Sequence, residues 1–287
     1  MAGYNALKDK IRKIYSNLPH NLQKVADFVV TNFDRIPFLS VKEISEATQL
    51  SVASVVRFSQ RIGFTGYQEM KIYISEELQS KINGTNDLDK LLDIRTSAID
   101  TITSIASQEV TNINETMKAM EKKNFDKFMK ILLKSERVNT AGLGISYLLA
   151  QILAYQLSQV AVKSFHFSSI YDTMIEQASY LTPNESFLAF SFPPYSLETI
   201  EAAKYAKSKK VKVLAITNKE TAPITFFSDA YLIVKTDNML YTNSFSAVSL
   251  IINAITTECA IRNKKKVTDL LNEYNEIISH KNLFVNG

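Results

Sequence analysis

Leu50-Ser51-Val52-Ala53-Ser54-Val55-Val56-Arg57-Phe58-Ser59-Gln60-Arg61-Ile62-Gly63-Phe64 carries the signals for the start, the faces and the end of one short helix. Ser51 is a good N-cap, because its hydroxyl can accept from a backbone N–H two or three residues on. Gly63 suits the left-handed position that follows a helix C-terminus. Val52, Val55, Val56, Ser59 and Ile62 recur at helical spacing and predict one buried stripe. Ala53, Ser54, Arg57, Gln60 and Arg61 fall on the opposite face. That face offers hydroxyl, amide and guanidinium groups and no carboxylate. A helix that needed only solvation would normally mix in Glu or Asp. The groups present are those that bond base edges and phosphates.

The preceding residues fit this reading. Ser40-Val41-Lys42-Glu43-Ile44-Ser45-Glu46-Ala47 predicts a short amphipathic helix with a capping box from Ser40 to Glu43. Thr48-Gln49-Leu50 is the turn between the two. Two short helices so tightly linked form a helix-turn-helix with the second as the reader. Two core helices of an all-α domain with an ordinary basic face would give the same spacing. As a reader, Ser51, Ser54, Arg57 and Arg61 would contact bases or phosphates, with Lys42 and Lys71 as flanking phosphate partners. Arg57 has a structural alternative, pairing with Glu43 or Glu46. Helices are also predicted over 5–16, 20–33 and 68–81, which makes the N-terminal region all-α with about five helices.

The run Ser51-x-x-Ser54-Val55-x-Arg57-Phe58-x-x-x-Ile62-Gly63-Phe64-x-Gly66-Tyr67 resembles the signature of the RpiR family of bacterial transcriptional regulators. The resemblance implies a winged or extended helix-turn-helix domain followed by a sugar isomerase (SIS) domain. Ser54 stands where that family often has Thr, and keeps the hydroxyl.

The chain of 287 residues is long enough for two domains, and 46% hydrophobic content supports a core in each. A net charge of +4 excludes a polybasic coat protein. Residues 1–82 hold 11 Lys and Arg against 8 Asp and Glu, and the rest hold 22 against 21, so most of the excess lies in the part of the chain that contains the reader helix. One cysteine, Cys259, excludes an internal disulfide, and its apolar helical setting predicts a buried, inert thiol. Met1-Ala2-Gly3-Tyr4 opens no secretory segment, and no apolar run is long enough to span a membrane, so a cytoplasmic protein is expected. Asn83-Gly84-Thr85-Asn86-Asp87 is the clearest break. The expected domains are 1–82, a linker over 83–95, and 96–287.

Helical pattern resumes from about Thr96 to Met120, and Asn124-Phe125-Asp126 is expected to cap a shorter helix. From Arg137 short β-branched runs alternate with helical runs. Strands are predicted at Val138–Ala141, Lys163–Phe167, Ser186–Phe192, Val211–Thr217 and Ala230–Thr236. Helical crossovers between them predict a five-stranded parallel sheet covered on both faces. Ligands of such sheets bind beyond the carboxyl ends of the strands. Gly142-Leu143-Gly144-Ile145-Ser146, Ser191-Phe192-Pro193-Pro194-Tyr195-Ser196-Leu197-Glu198-Thr199 and Thr217-Asn218 converge there. Two of these enter helices, whose N-termini favour anions. Each piece alone also reads as a common tight turn or N-cap. The spacing of the glycines fits neither a P-loop nor a dinucleotide fingerprint.

Residues 137–236 resemble a SIS domain, from Thr140-Ala141-Gly142-Leu143-Gly144-x-Ser146 through Glu198-Thr199-Ile200-Glu201-Ala202-Ala203 to Ala215-Ile216-Thr217-Asn218. Carried over residue by residue, the resemblance implies that Ser146, Ser191, Ser196 and Thr199 hold the phosphate of a sugar phosphate, and Gly144 and Thr217 of the converging segments complete the expected ligand-binding set. Pro193 and Pro194 depart from the family's S-x-S-G-x-T loop and remove two backbone donors. Phe192 and Tyr195 add bulk where the family has a glycine.

The expected function is a DNA-binding regulator, not an enzyme, whose SIS domain senses a sugar phosphate or related metabolite and alters binding to a double-stranded operator. It is expected to act as a homodimer or dimer of dimers, without metal or cofactor. A phosphosugar isomerase with an accessory helical domain is the alternative, as is a DNA-binding protein whose SIS domain only dimerises. Isomerisation needs a general base. His20, His166 and His280 are the histidines, of which only His166 ends a predicted strand. Glu198 is expected to face solvent.

Overall fold

Five helices open the chain: α1 (Ala2–Ile14), α2 (His20–Thr31), α3 (Val41–Thr48), α4 (Val52–Arg61) and α5 (Tyr67–Ile82). They come from a computed structural model that describes residues 2–82, 98–168, 172–238 and 242–281 and divides into two units. The linker expected at 83–95 lies outside the described residues. The capping box forms, with Ser40 Oγ accepting from the Glu43 N–H at 3.2 Å and Glu43 Oε2 accepting from the Ser40 N–H at 2.8 Å. Thr48 still belongs to α3, and the chain reverses on Gln49, which is left-handed at φ 57°. The turn is therefore Gln49 to Ser51, one residue later than the spacing suggested. Gly63, at φ 94°, closes α4 in a Schellman arrangement. Its N–H donates to Gln60 O and that of Phe64 to Ser59 O, each at 3.0 Å.

The buried face of α4 is Val55, Phe58, Ser59 and Ile62, while Val52 is 41% exposed and Val56 half-buried. The helix is thus rotated from the expected stripe. Phe58, fully buried, has the most apolar surface of that face to remove from water, and α4 packs against α2, α3 and α5. Ser59 survives in the core because its hydroxyl donates to Val55 O at 3.1 Å. Tyr67, at the start of α5, donates to Leu39 O at 2.7 Å, with Ile36 O 3.2 Å away. Burial, with help from the Glu43 charge, raises its phenol well above the ordinary range.

The second unit contains α6 (Ala98–Ala119), α7 (Lys122–Lys134), β1 (Val138–Ala141), α8 (Ile145–Gln159), β2 (Ser164–His166), α9 (Met174–Ser179), β3 (Ser186–Ser191), α10 (Leu197–Ser208), β4 (Lys212–Thr217), β5 (Ala230–Ile233), α11 (Ser246–Arg262) and α12 (Lys264–Lys281). The strands are all parallel in the order β2-β1-β3-β4-β5. β1 and β3 are buried along their whole length, as in a sheet covered on both faces, and the polar Asn139 and Thr140 of β1 are hydrogen-bonded to backbone carbonyls. Phe128 and Leu132 of α7, Leu153 of α8 and Ile252 of α11 meet Phe190, Leu214 and Leu232 in one core. Cys259 is buried in the same core, and burial pushes its thiol up to about 12. α7 starts at Lys122 with Glu121 as N-cap, so Asn124 does not cap it. The N–H groups of Asn124 and Phe125 donate to Glu121 O, which places them inside the first turn.

The turn from β1 to α8 needs two glycines for different reasons. A Cβ on residue 142 would lie 2.5 Å from the backbone C and O of Ser146. At Gly144 a Cβ would meet nothing, but φ 61° and ψ −128° are open only to glycine at low cost. Gly144→Ala is expected to lose about 1–3 kcal/mol of stability through strain alone. Gly142→Ala should lose more, because the first turn of α8 must move. In the N-terminal unit, Tyr67→Phe removes the phenol's bond to Leu39 O while Lys71 still donates to that carbonyl, and should cost about 0.5–1.5 kcal/mol. Urea unfolding of each variant against the parent protein measures these differences.

Candidate functional site

The exposed side of α4 presents Val52, Ala53, Arg57, Gln60 and Arg61 to solvent. Ser51 and Ser54 join them at the N-terminal end, their hydroxyls 3.0 Å apart. Ser51 Oγ also accepts from the Ser54 N–H, so the first turn is capped and rigid. Among the described residues neither Arg57 nor Arg61 has a carboxylate within ion-pair distance. Glu43 is engaged in the capping box, and Glu46 lies 3.9 Å from Lys42. The structural alternative for Arg57, a pair with Glu43 or Glu46, is thus not what the chain forms. Lys42 is exposed at the edge of this face. Lys71 instead donates to Leu39 O at 3.1 Å, tying α5 to the segment before α3. Val52 is the residue that sequence reasoning placed on the wrong side. An exposed valine beside two serines and two arginines is an apolar group of the kind that touches a thymine methyl.

The carboxyl edge of the sheet carries the second set. Ser146 is 6% exposed in the first turn of α8, and Ser191 is 3% exposed at the end of β3. Ser191 Oγ has no hydrogen-bond partner among the described residues. A buried hydroxyl left so is uncommon and costs stability. Ser196 caps α10 by accepting from the Thr199 N–H at 3.2 Å. Thr199 and Thr217 are not brought to this edge by their hydroxyls. Thr199 Oγ1 packs 3.6 Å from Met174 Sδ, and Thr217 Oγ1 donates to Ser191 O at 2.6 Å, where it ties β4 to β3. Gly144 contributes backbone at the N-terminus of α8.

The loop that departs from the expected pattern is held on both sides. Asn243 Nδ2 donates to Pro193 O, and Asn243 Oδ1 accepts from Thr236 Oγ1 at 3.1 Å. Tyr195 donates to Asn218 Oδ1 at 2.8 Å. Phe192 is buried in the core and does not obstruct the loop as its bulk suggested. Asn243 and Asn218 escaped the sequence reading, since an asparagine in a loop carries no signal of what it will reach. Glu198 also differs from expectation. Its Oε1 accepts from the Met174 N–H at 3.0 Å, so it caps α9 and is not turned to solvent. His166 stacks on Phe165 at 5.8 Å and meets the edge of Tyr147 at 5.9 Å. His20 is exposed in α2, and the side chain of His280 lies outside the described residues. The described residues contain no group of metal-ligating side chains.

Comparison with known proteins bears on both sites. Residues 5–81 match the family model for the helix-turn-helix domain, rpiR family, and residues 131–257 match the SIS domain. An uncharacterized HTH-type transcriptional regulator of Haemophilus influenzae is 28% identical over 242 residues, covering 81% of each chain. The sugar isomerase domain of an RpiR transcription factor from Sphaerobacter thermophilus has a TM-score of 0.59 at 18% identity, covering 61% of this chain and 97% of that one. The Vibrio vulnificus NanR protein complexed with ManNAc-6P has a TM-score of 0.59 at 20% identity, covering 98% and 100%. With a helix-turn-helix in front whose second helix carries no carboxylate and a five-stranded parallel sheet behind, matched by those two domain models in that order, the chain belongs to the RpiR family of transcriptional regulators.

Proposed function

We propose that this regulator reads an operator with α4 and senses a sugar phosphate or a related metabolite at the carboxyl edge of its sheet. The observation that carries the sensing is the buried Ser191 hydroxyl, without a protein partner among the described residues, at the end of β3, which leads into α10 and pairs with β1, the strand that leads into α8. Both N-termini favour a negative charge, and Ser146 and Ser196 flank the place. Gly144, Ser146, Ser191 and Ser196 are the proposed contacts. Thr199 and Thr217 support them from behind. The solved NanR relative, bound to ManNAc-6P, supports a sugar phosphate as the class of effector. Pro193 and Pro194 make the ligand loop poorer in donors, so hydroxyl groups carry more of the recognition.

The protein acts without catalysis in this reading, in the cytoplasm. Glu198, the carboxylate best placed in the sequence to serve as an isomerase base, is engaged with the Met174 N–H. A homodimer is the proposed functional unit, paired through α8. That helix has no charged residue in its 15 positions, yet Ile145, Leu148, Ile152 and Tyr155 are 41–65% exposed along one face. Monomers seldom leave such a stripe in water. A ligand that prefers one dimer geometry would shift operator affinity by its differential binding.

Three measurements check this. Against a duplex selected from a random-sequence pool, Arg57→Ala and Arg61→Ala should each weaken binding by about 1–3 kcal/mol and relax the preference at one base pair. ManNAc-6P, or another member of a sugar phosphate panel, at 100 times its Kd should stabilise the protein by about 2.7 kcal/mol. That protection should vanish in Ser146→Ala with Ser191→Ala. Leu148→Asp should halve the mass seen by light scattering while circular dichroism is unchanged.

A further inference from the structure

Within residues 83–287 the excess positive charge is concentrated on one element. Residues 83–287 hold 22 Lys and Arg against 21 Asp and Glu, while α7 alone holds five Lys against one Asp. Without α7 that part of the chain would be net −3. Lys123, Lys127, Lys130 and Lys134 fall at i, i+4, i+7 and i+11 and are all exposed. They line the face opposite the buried Phe128, Met129 and Leu132 and span about 16 Å at 1.5 Å per residue. Among the described residues none of the four has a carboxylate within ion-pair distance. Asp126, the acid within the helix, is bound to Arg262 at 3.3 Å, and Glu121 at the N-cap accepts from Asn124 Nδ2 at 3.3 Å.

The stripe costs the helix stability. Two of its pairs are like charges at i, i+4, and lysines in the first turn oppose the helix dipole. At its far end, Lys130 and Lys134 border a groove of about 480 Å³ together with Lys212. The carboxylates of that groove are engaged within the protein, Glu185 with Arg137 at 2.6 Å and Glu136 with Asn184 Nδ2 at 3.2 Å.

We infer that the lysine face of α7 is a second contact surface for double-stranded DNA, one that holds the phosphate backbone without reading sequence. Lysine is a mobile point charge suited to phosphates, and a linear row of them matches a linear row of charge. An acidic protein partner fits less well, because protein interfaces are depleted of lysine and enriched in aromatic residues and arginine. The inference rests in part on the chain being a DNA-binding regulator, and it adds a surface that lies outside the helix-turn-helix.

The experiment uses the full chain and a 40-base-pair duplex of scrambled sequence, followed by fluorescence anisotropy between 50 and 200 mM NaCl. The variant carries Lys123→Gln, Lys127→Gln, Lys130→Gln and Lys134→Gln, which keep the helix-forming stems and remove the charge. Removing one lysine–phosphate pair should lower the slope of log K against log salt by about 0.9, so a fall of about 2–4 is expected, with affinity at least tenfold weaker at 100 mM. The fourfold Lys→Arg variant should bind like the parent protein. If the Gln variant does not fold, the pair Lys130→Gln with Lys134→Gln reads the same quantity at half size. Unchanged slope and affinity in a folded variant would overturn the inference. So would loss of binding to poly-L-glutamate with the duplex unaffected, which would assign the face to an acidic protein. Arg57→Ala with Arg61→Ala, measured alongside, separates the two surfaces: weakened binding there with α7 silent sinks this inference alone, and the reverse sinks only the assignment of the reader.

Discussion

Ser146 approaches the end of β1 so closely that residue 142 has no room for a side chain. That contact sets the start of α8, and much of the second unit follows from it. It aims the N-terminus of α8 at the carboxyl edge of the sheet and lets Thr140 Oγ1 donate to Ala150 O at 2.8 Å, which binds strand to helix one turn further on. With α8 so placed, Leu149, Leu153 and Leu157 reach the sheet, and the helix turns Leu148, Ile152 and Tyr155 outward. One steric fact thus places both an anion-favouring helix end and the apolar face assigned to pairing.

The carboxyl edge is then held by polar side chains that reach across the fold. Asn243 grips the carbonyl of Pro193, and Tyr195 grips Asn218. α6 fastens the neighbouring segment after β5 with residues on one of its faces. Asn112 Nδ2 donates to Asp237 O at 2.8 Å, Thr116 Oγ1 accepts from the Lys235 N–H at 2.9 Å, and Glu109 accepts from Ser244 Oγ. Asn112 and Thr116 are fully buried, where polar groups persist only if bonded. A connection of this kind links the Pro193-Pro194 loop, by way of Asn243 and Ser244, to α6. It is a contiguous hydrogen-bonded route. Coupling along it would need two arrangements that a ligand can tell apart.

α4 and α7 expose different cations. α4 shows arginines and hydroxyls, which hold their donors in fixed geometry, and α7 shows lysines, which are mobile point charges. Both helices bury a compact apolar face around a phenylalanine, Phe58 in one and Phe128 in the other. The ring fixes the rotation of each helix, and the rotation decides which charges meet solvent.

The amino-acid sequence by itself determined the elements that depend on neighbours along the chain. The Ser40–Glu43 capping box, Ser51 as N-cap, Gly63 as helix stop and the strand-and-helix alternation after Arg137 all follow from contacts within a few residues, which sequence spacing records directly. It also indicated that Ser146, Ser191 and Ser196 would gather at one edge, because parallel strands put their carboxyl ends together. The side to which Val52 turns, the engagement of Glu198 with the Met174 N–H, the turning of Thr199 and Thr217 into packed contacts and the grip of Asn243 on Pro193 were decided only by tertiary structure. Each depends on a partner tens of residues away or on the volume of a neighbouring side chain. A hydroxyl or carboxylate has the same composition and spacing whether it faces a ligand, the solvent or a backbone N–H across the fold.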